Sequence, residues 1–270
     1  MILKNMDNKY EDLQKLEYML NLNIDERKKT LIKKEIYNLQ KGLSVEKNSA
    51  YFIEDIFNGE IIAHDIRFED EGVVVKIDHL VIDKNWNVFL FESKGFSNDI
   101  LIDKDGEFSY FDKEKPQYKP FSSPIENSLR NERLLMKYFF KKIGFTPSSF
   151  VHFVLFDSKV KITKKTEGFD NVCYPDMLRA ALEQYKKNNK IKLYGDIFKN
   201  KLQQLFLHPI PPHRAMDILI QNYHHPSSID YYKKFGVNEV EKKTDSSTET
   251  FTLAKAAKSL NISSAEMKNR

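Results

Sequence analysis

Residues 88–94 read Val-Phe-Leu-Phe-Glu-Ser-Lys, an apolar run that ends on two charges. Side chains alternate in an extended strand, so Glu92 and Lys94 share a face, about 7 Å apart along the backbone. Asp78 lies in the preceding apolar run, residues 73–82, and Asn85-Trp86-Asn87 supplies a turn that lets the two runs pair with both carboxylates converging. Carboxylate oxygens are hard ligands suited to Mg²⁺ or Mn²⁺, ions that keep several waters while bridging to a phosphate. Such an ion polarises the phosphate and activates a water, and a neighbouring ammonium can orient that water or stabilise the developing charge. The same spacing also fits a half-exposed strand that carries its charges outward. Against that, Asp78 stands between Val73-Val74-Val75 and Leu80-Val81-Ile82, and Glu92 follows four apolar residues. Charges embedded in such runs need a partner or a task.

A sheet must position these groups, and the chain supplies short β-branched or aromatic runs at 61–62, 66–68, 73–82 and 88–91, broken by Glu71-Gly72 and the Asn85 turn. A further hairpin extends this meander, because runs 100–102 and 108–111 flank Asp105-Gly106, whose glycine supplies the positive φ of a tight turn. Residues 150–156, nearly all apolar, read as a strand buried on both faces. Helical periodicity precedes the sheet. Leu13, Leu16, Met19 and Leu20, then Leu31, Ile32, Ile36 and Leu39, predict a hairpin of helices broken at Asn21-Leu22-Asn23. Gly42 closes that segment and Ser44 caps a new helix with the stripe Ala50, Ile53, Ile56 and Phe57, which puts Glu46 in its first turn. Further helices are expected at 125–138, ending near Gly144, from a cap at Asp176 through Tyr185, and around 197–207 and 215–223. Residues 241–250 read as a polar linker, and 251–267 as part of a helix-turn-helix lacking most of its second helix.

Forty-one per cent hydrophobic residues in a chain of 270 can bury one sizeable core and a small second module, and a net charge of +4 gives no global field for a polyanion. Any basic footprint must be local, as in Lys159, Lys161, Lys164 and Lys165 with Lys186, Lys187, Lys190 and Lys192. One cysteine, Cys173, excludes an internal disulfide or a cysteine-based zinc ribbon and fits the core of a cytoplasmic protein. No stretch approaches the ~20 apolar residues of a membrane helix. His208, His213, His224 and His225 lack acidic partners at ligand spacing and read as surface or capping residues. His79 alternates with Asp78 and is expected to pack against helices, away from any metal.

Six blocks in one order now carry a resemblance: residues 48–52, His64-Asp65-Ile66-Arg67, Lys76-Ile77-Asp78-His79-Leu80-Val81-Ile82, Phe91-Glu92-Ser93-Lys94, Asp105-Gly106-Glu107-Phe108 and Ser123-Pro124-Ile125. The chain resembles the nuclease-related domain family, NERD, which looks like part of the PD-(D/E)xK nuclease superfamily. That implies an α/β (α+β) fold with a restriction-endonuclease-like core, a mixed central β-sheet flanked by helices, here with an N-terminal helical hairpin and a helical C-terminal part. The expected divisions are a hairpin at 1–41, the nuclease-like core at 42–175, a helical extension at 176–240, and a linker and tail at 241–270. The resemblance assigns Asp78, Glu92 and Lys94 to the central motif and Glu46 to the acidic residue of the preceding helix. It adds the main-chain carbonyl of Ser93 to the metal shell and gives the Ser93 side chain no part. Two departures stand out: Lys76 where the family often has Gln, and Asn131 where it often has His, after a matching Arg130. Lys76 and Arg130 become candidate nucleic-acid contacts.

The expected function is therefore a Mg²⁺- or Mn²⁺-dependent nuclease that acts on nucleic acid, DNA ahead of RNA, by metal-activated water. A non-catalytic module that grips nucleic acid or a protein partner in a defence or repair assembly is the alternative, and an α+β scaffold with surface charges, assembling through its hairpin with itself or another protein, is a further one. No phosphate-cradling Gly-Lys-Ser/Thr loop is present, so coupling to nucleotide hydrolysis would need another protein.

Overall fold

A computed structural model describes residues 1–189, 210–226 and 229–237. The helical pattern at 197–207, the linker at 241–250, the tail at 251–267, and Lys190, Lys192 and His208 lie outside the described residues. The strands are β1 (Ile2–Lys4), β2 (Ile61–Asp70), β3 (Val73–Ile82), β4 (Asn87–Lys94), β5 (Ile100–Ile102), β6 (Phe108–Asp112), β7 (Gln117–Pro120), β8 (Ser149–Phe156), β9 (Ile162–Lys164) and β10 (Val172–Cys173). The helices are α1 (Tyr10–Leu20), α2 (Glu26–Ile56), α3 (Pro124–Leu134), α4 (Lys141–Ile143), α5 (Leu178–Asn189), α6 (Pro212–Tyr223) and α7 (Tyr231–Phe235), with a π-helical segment, Leu135–Phe140, joining α3 to α4. No helix among the described residues is long and apolar enough to cross a membrane.

The described residues divide into two compact units, residues 1–7 with 41–189 and 210–226, and residues 8–40 with 229–237. The first holds a six-stranded mixed sheet in the order β1-β2-β3-β4-β8-β10. β3 pairs antiparallel with β2 and β4, whereas β4 pairs parallel with β8 from Asn87↔Ser149 to Lys94↔Phe156. Each face carries a core. Ala63, Leu80, Val88 and Leu90 pack with Phe139, Phe140 and Met216 on one side, and Ile62, Val81, Phe89, Phe91 and Phe153 pack with Ile53 of α2 and Leu178 of α5 on the other. Burying each such side chain contributes roughly 1.5–3 kcal/mol, and the double coverage explains why β4 and β8 read as near-continuous apolar runs.

Two sequence expectations are corrected here. The hairpin β5–β6 does not extend the meander: it belongs to a separate four-stranded sheet, β7-β6-β5-β9. The reason is that β8 takes the free edge of β4, while Phe96, just after Lys94, packs its ring at a tilt against Phe121 and Phe156. Nor does a new helix begin at Ser44, because α2 runs unbroken through Gly42 and Ser44 and leaves Glu46 in a helix interior. Glycine inside a helix costs about 1 kcal/mol against alanine, but Leu43 and Val45 are buried beside it. The backbone at Gly42 also approaches Gly95 closely, and a Cβ on Gly95 would sit 3.4 Å from the Lys41 carbonyl oxygen and 3.5 Å from the Gly42 Cα. The helix starts instead at Asp25, whose carboxylate accepts the Lys28 N–H at 2.9 Å.

In the second unit α1 and the first half of α2 form the expected hairpin, and Leu16, Met19, Leu22 and Ile32 cluster with Tyr231 and Val237. Leu31, expected on the buried stripe, stands 55% exposed. Lys28 Nζ donates to the Gly236 carbonyl at 2.7 Å, and Lys234 pairs with Glu35 at 2.6 Å.

Candidate active site

The site begins with a slip in the alternation of β2 and β3. Ala63 and Ile66, and opposite them Leu80 and Ile77, all enter the same core although each pair is three residues apart. An uninterrupted strand would place such residues on opposite faces. The slip falls at Asp65, which adopts φ +49° and whose carboxylate accepts the Asp7 N–H at 2.9 Å. The register passes from His64↔His79 to Ile66↔Ile77, so Asp78 sits opposite the slip.

On its other side β3 parts from β4 at the same place. Their ladder ends at His79↔Phe91, and one step further Asp78 Oδ2 accepts the Ser93 N–H at 2.7 Å in place of a backbone carbonyl. The Asp78 carboxylate is thereby turned toward the residue between Glu92 and Lys94. Its proton affinity is raised well above the usual carboxylate range, first by burial and then by the charges of Glu92 and Glu46, against the Ser93 N–H and the Lys94 ammonium. Glu92 and Lys94 share a face as their spacing requires, and Lys94 Nζ lies 2.5 Å from Glu92 Oε1. Glu46 reaches the group from the interior of α2, so the favourable dipole of a helix's first turn does not account for its place.

Asp78 thus feels the charges of Glu92 and Glu46, and Lys94 pairs with Glu92. Among the described residues no three His, Cys, Asp or Glu side chains are gathered closely enough to hold a metal ion as they stand. The donor chemistry nevertheless fits a hard divalent cation, since the groups are carboxylates and a main-chain carbonyl, with no sulfur. Mutual repulsion already favours positive charge there, and Lys94 supplies it.

Lys76 and Arg130 are both exposed. Asn131 Nδ2 donates to the Lys76 carbonyl at 2.7 Å, so α3 abuts β3 near both candidates. Cys173 is buried among apolar residues, which pushes its thiol up to about 12 and makes it inert. His224 accepts from the Arg67 N–H at 3.4 Å, and the His225 N–H donates to the Arg67 carbonyl at 2.9 Å.

Sequence reasoning missed two buried networks. Ser93, whose side chain was given no part, has its hydroxyl 3.2 Å from His79 Nε2 and 3.0 Å from Ser49 Oγ. His79 in turn lies 2.8 Å from His64, which reaches Glu54. The signal was the presence of both histidines in the ordered motif blocks, although no spacing rule connects them. The second network is Ser128 Oγ, His152 and Glu132, at 2.7 and 2.6 Å. It has the members of a nucleophilic triad, yet Ser128 is 3% exposed and tied between α3 and β8, which makes it a structural link.

The sequence profile of the nuclease-related domain family matches residues 41–156, the span that contains Glu46, Asp78, Glu92, Ser93 and Lys94. Comparisons with curated proteins and with solved structures gave no match. Over residues 41–156 this chain is therefore similar to the nuclease-related domain, NERD, family.

Proposed function

We propose that this protein hydrolyses phosphodiester bonds of nucleic acid in a reaction that depends on Mg²⁺ or Mn²⁺, with Asp78, Glu92, Glu46 and Lys94 as its working groups. The observation that supports this reading is Asp78, bonded to the Ser93 N–H where β3 and β4 separate and subject to the charges of Glu92, Glu46 and Lys94, inside a span that matches the nuclease-related domain. Asp78, Glu92, Glu46 and the Ser93 carbonyl would hold the ion, which when bound polarises a phosphate and makes water a nucleophile near neutral pH. The Ser93 N–H fixes the orientation of the Asp78 carboxylate. Lys94, a compact charge on a flexible stem, can leave Glu92 to meet the negative charge that builds on the phosphate. Lys76 and Arg130, both exposed, would neutralise flanking phosphates. DNA is proposed ahead of RNA by analogy with the superfamily that the domain resembles.

A second reading, a module that grips nucleic acid without cutting it, is favoured by the carboxylates not being gathered as a three-ligand set and by the Lys94–Glu92 pair. Incubation of plasmid and single-stranded DNA with Mg²⁺, Mn²⁺ or EDTA separates the two. The nuclease reading expects cleavage with either ion, none in EDTA, and one Mn²⁺ site of defined stoichiometry by calorimetry. Binding that is equal in EDTA, with no turnover under any ion, establishes the second reading instead.

A further inference from the structure

Glu54, His64, His79, Ser93 and Ser49 form one continuous hydrogen-bonded chain through the first unit. Glu54 Oε1 lies 3.2 Å from His64 Nε2, and His64 Nδ1 lies 2.8 Å from His79 Nδ1. His79 Nε2 lies 3.2 Å from Ser93 Oγ, which lies 3.0 Å from Ser49 Oγ. Both rings are buried and meet edge to face with centroids 4.9 Å apart, while the Glu54 side chain at the outer end keeps 41% of its exposure.

Donor and acceptor rules give this chain a direction. A carboxylate only accepts, so His64 must carry a proton on Nε2 to meet Glu54. Burial lowers the proton affinity of His64, with Glu54 opposing, and in a neutral ring protonated on Nε2 the other nitrogen can only accept. His79 Nδ1 must then donate, which leaves His79 Nε2 to accept. The Ser93 hydroxyl has one proton and supplies it to His79 by turning from Ser49, whose own hydroxyl then donates to Ser93.

We propose that this chain is a positioning relay: Glu54 fixes the tautomers of His64 and His79, which hold Ser93 so that Glu92, the Ser93 carbonyl and Lys94 face Asp78 in a fixed arrangement. The inference rests on the nuclease reading of that site. Ser93 is held at two points, by its N–H to Asp78 and by its hydroxyl to His79 and Ser49. A residue anchored from both β3 and α2 fixes the stretch of backbone from which Glu92 and Lys94 project. The relay groups act through Ser93 and touch neither substrate nor ion, as outer partners of metal sites commonly do. A rival account, in which two buried histidines merely satisfy each other, predicts a loss of stability and nothing more.

Long-range ¹⁵N–¹H NMR of the intact protein reads the tautomers directly, with His64 expected as Nε2–H and His79 as Nδ1–H. Mn²⁺ affinity by calorimetry, and kcat and KM on DNA well below the melting temperature, are then compared for the wild type, Glu54→Ala, Ser93→Ala and Ser93→Thr. The two alanine variants are expected to weaken Mn²⁺ binding and lower kcat about tenfold each, with KM for DNA unchanged and Ser93→Thr close to wild type. A His79 protonated on Nε2 overturns the proposal. So do alanine variants that melt earlier yet keep wild-type affinity and turnover per folded molecule. A wild type that neither binds Mn²⁺ nor cuts overturns the nuclease reading itself, which an active wild type with unaffected variants does not.

Discussion

Asp78→Asn is expected to lower metal-dependent DNA cleavage by at least about a hundredfold while leaving the protein no less stable to heat at neutral pH. The first half follows from removing the charged donor at the centre of the site. The second follows from the electrostatics already present, because burial and the charges of Glu92 and Glu46 raise the proton affinity of Asp78 in the folded state. A carboxyl whose folded pKa lies above its unfolded value, about 3.9, binds more protons when folded. Its contribution to stability is therefore greatest below the unfolded value and is lost as pH rises through the folded one. Asparagine removes that slope and still offers an oxygen to the Ser93 N–H. Melting curves at pH 5 and pH 8 test the stability half: acidification should favour the parent more than the variant. Parental cleavage rates in Asp78→Asn, or a variant that melts far earlier at both pH values, would remove Asp78 from the role given to it.

Lys94→Met is expected to lower kcat by roughly a hundredfold to a thousandfold, in the range seen when a group that stabilises transition-state charge is removed. Mn²⁺ binding should be retained or tightened, because the ammonium lies 2.5 Å from Glu92 Oε1 and competes for that oxygen. Methionine keeps the length of the stem and the packing of its apolar part. Arginine should not restore the rate, since a planar fork cannot take the place of a compact ammonium in this setting. Calorimetry and single-turnover cleavage separate these effects: weaker Mn²⁺ binding with an unchanged chemical step would contradict the assignment.

The strands of the main sheet could be read directly from their β-branched and aromatic runs, and the shared face of Glu92 and Lys94 from period-two alternation. The helix across Gly42 could not, because glycine followed by serine carries a local stop and start signal that packing against Gly95 overrides. The slip at Asp65 was equally hidden, since a positive φ at aspartate is tolerated but not announced. The relay escaped because its members lie on four separate elements, α2, β2, β3 and β4, and only the pairing of β2 with β3 brings His64 to His79. Leu31 shows the converse error, an apolar residue at helical spacing with nothing packed on it.

The neighbours of β4 also set an order of assembly. β3 lies just before it in the chain, so that pairing closes a short loop, whereas the pairing of Asn87 with Ser149 closes a far longer one. Contacts of small sequence separation form fastest. The carboxylate pair can thus come together in an early hairpin, and the apolar wall behind Glu92 and Lys94 is completed only when β8 arrives.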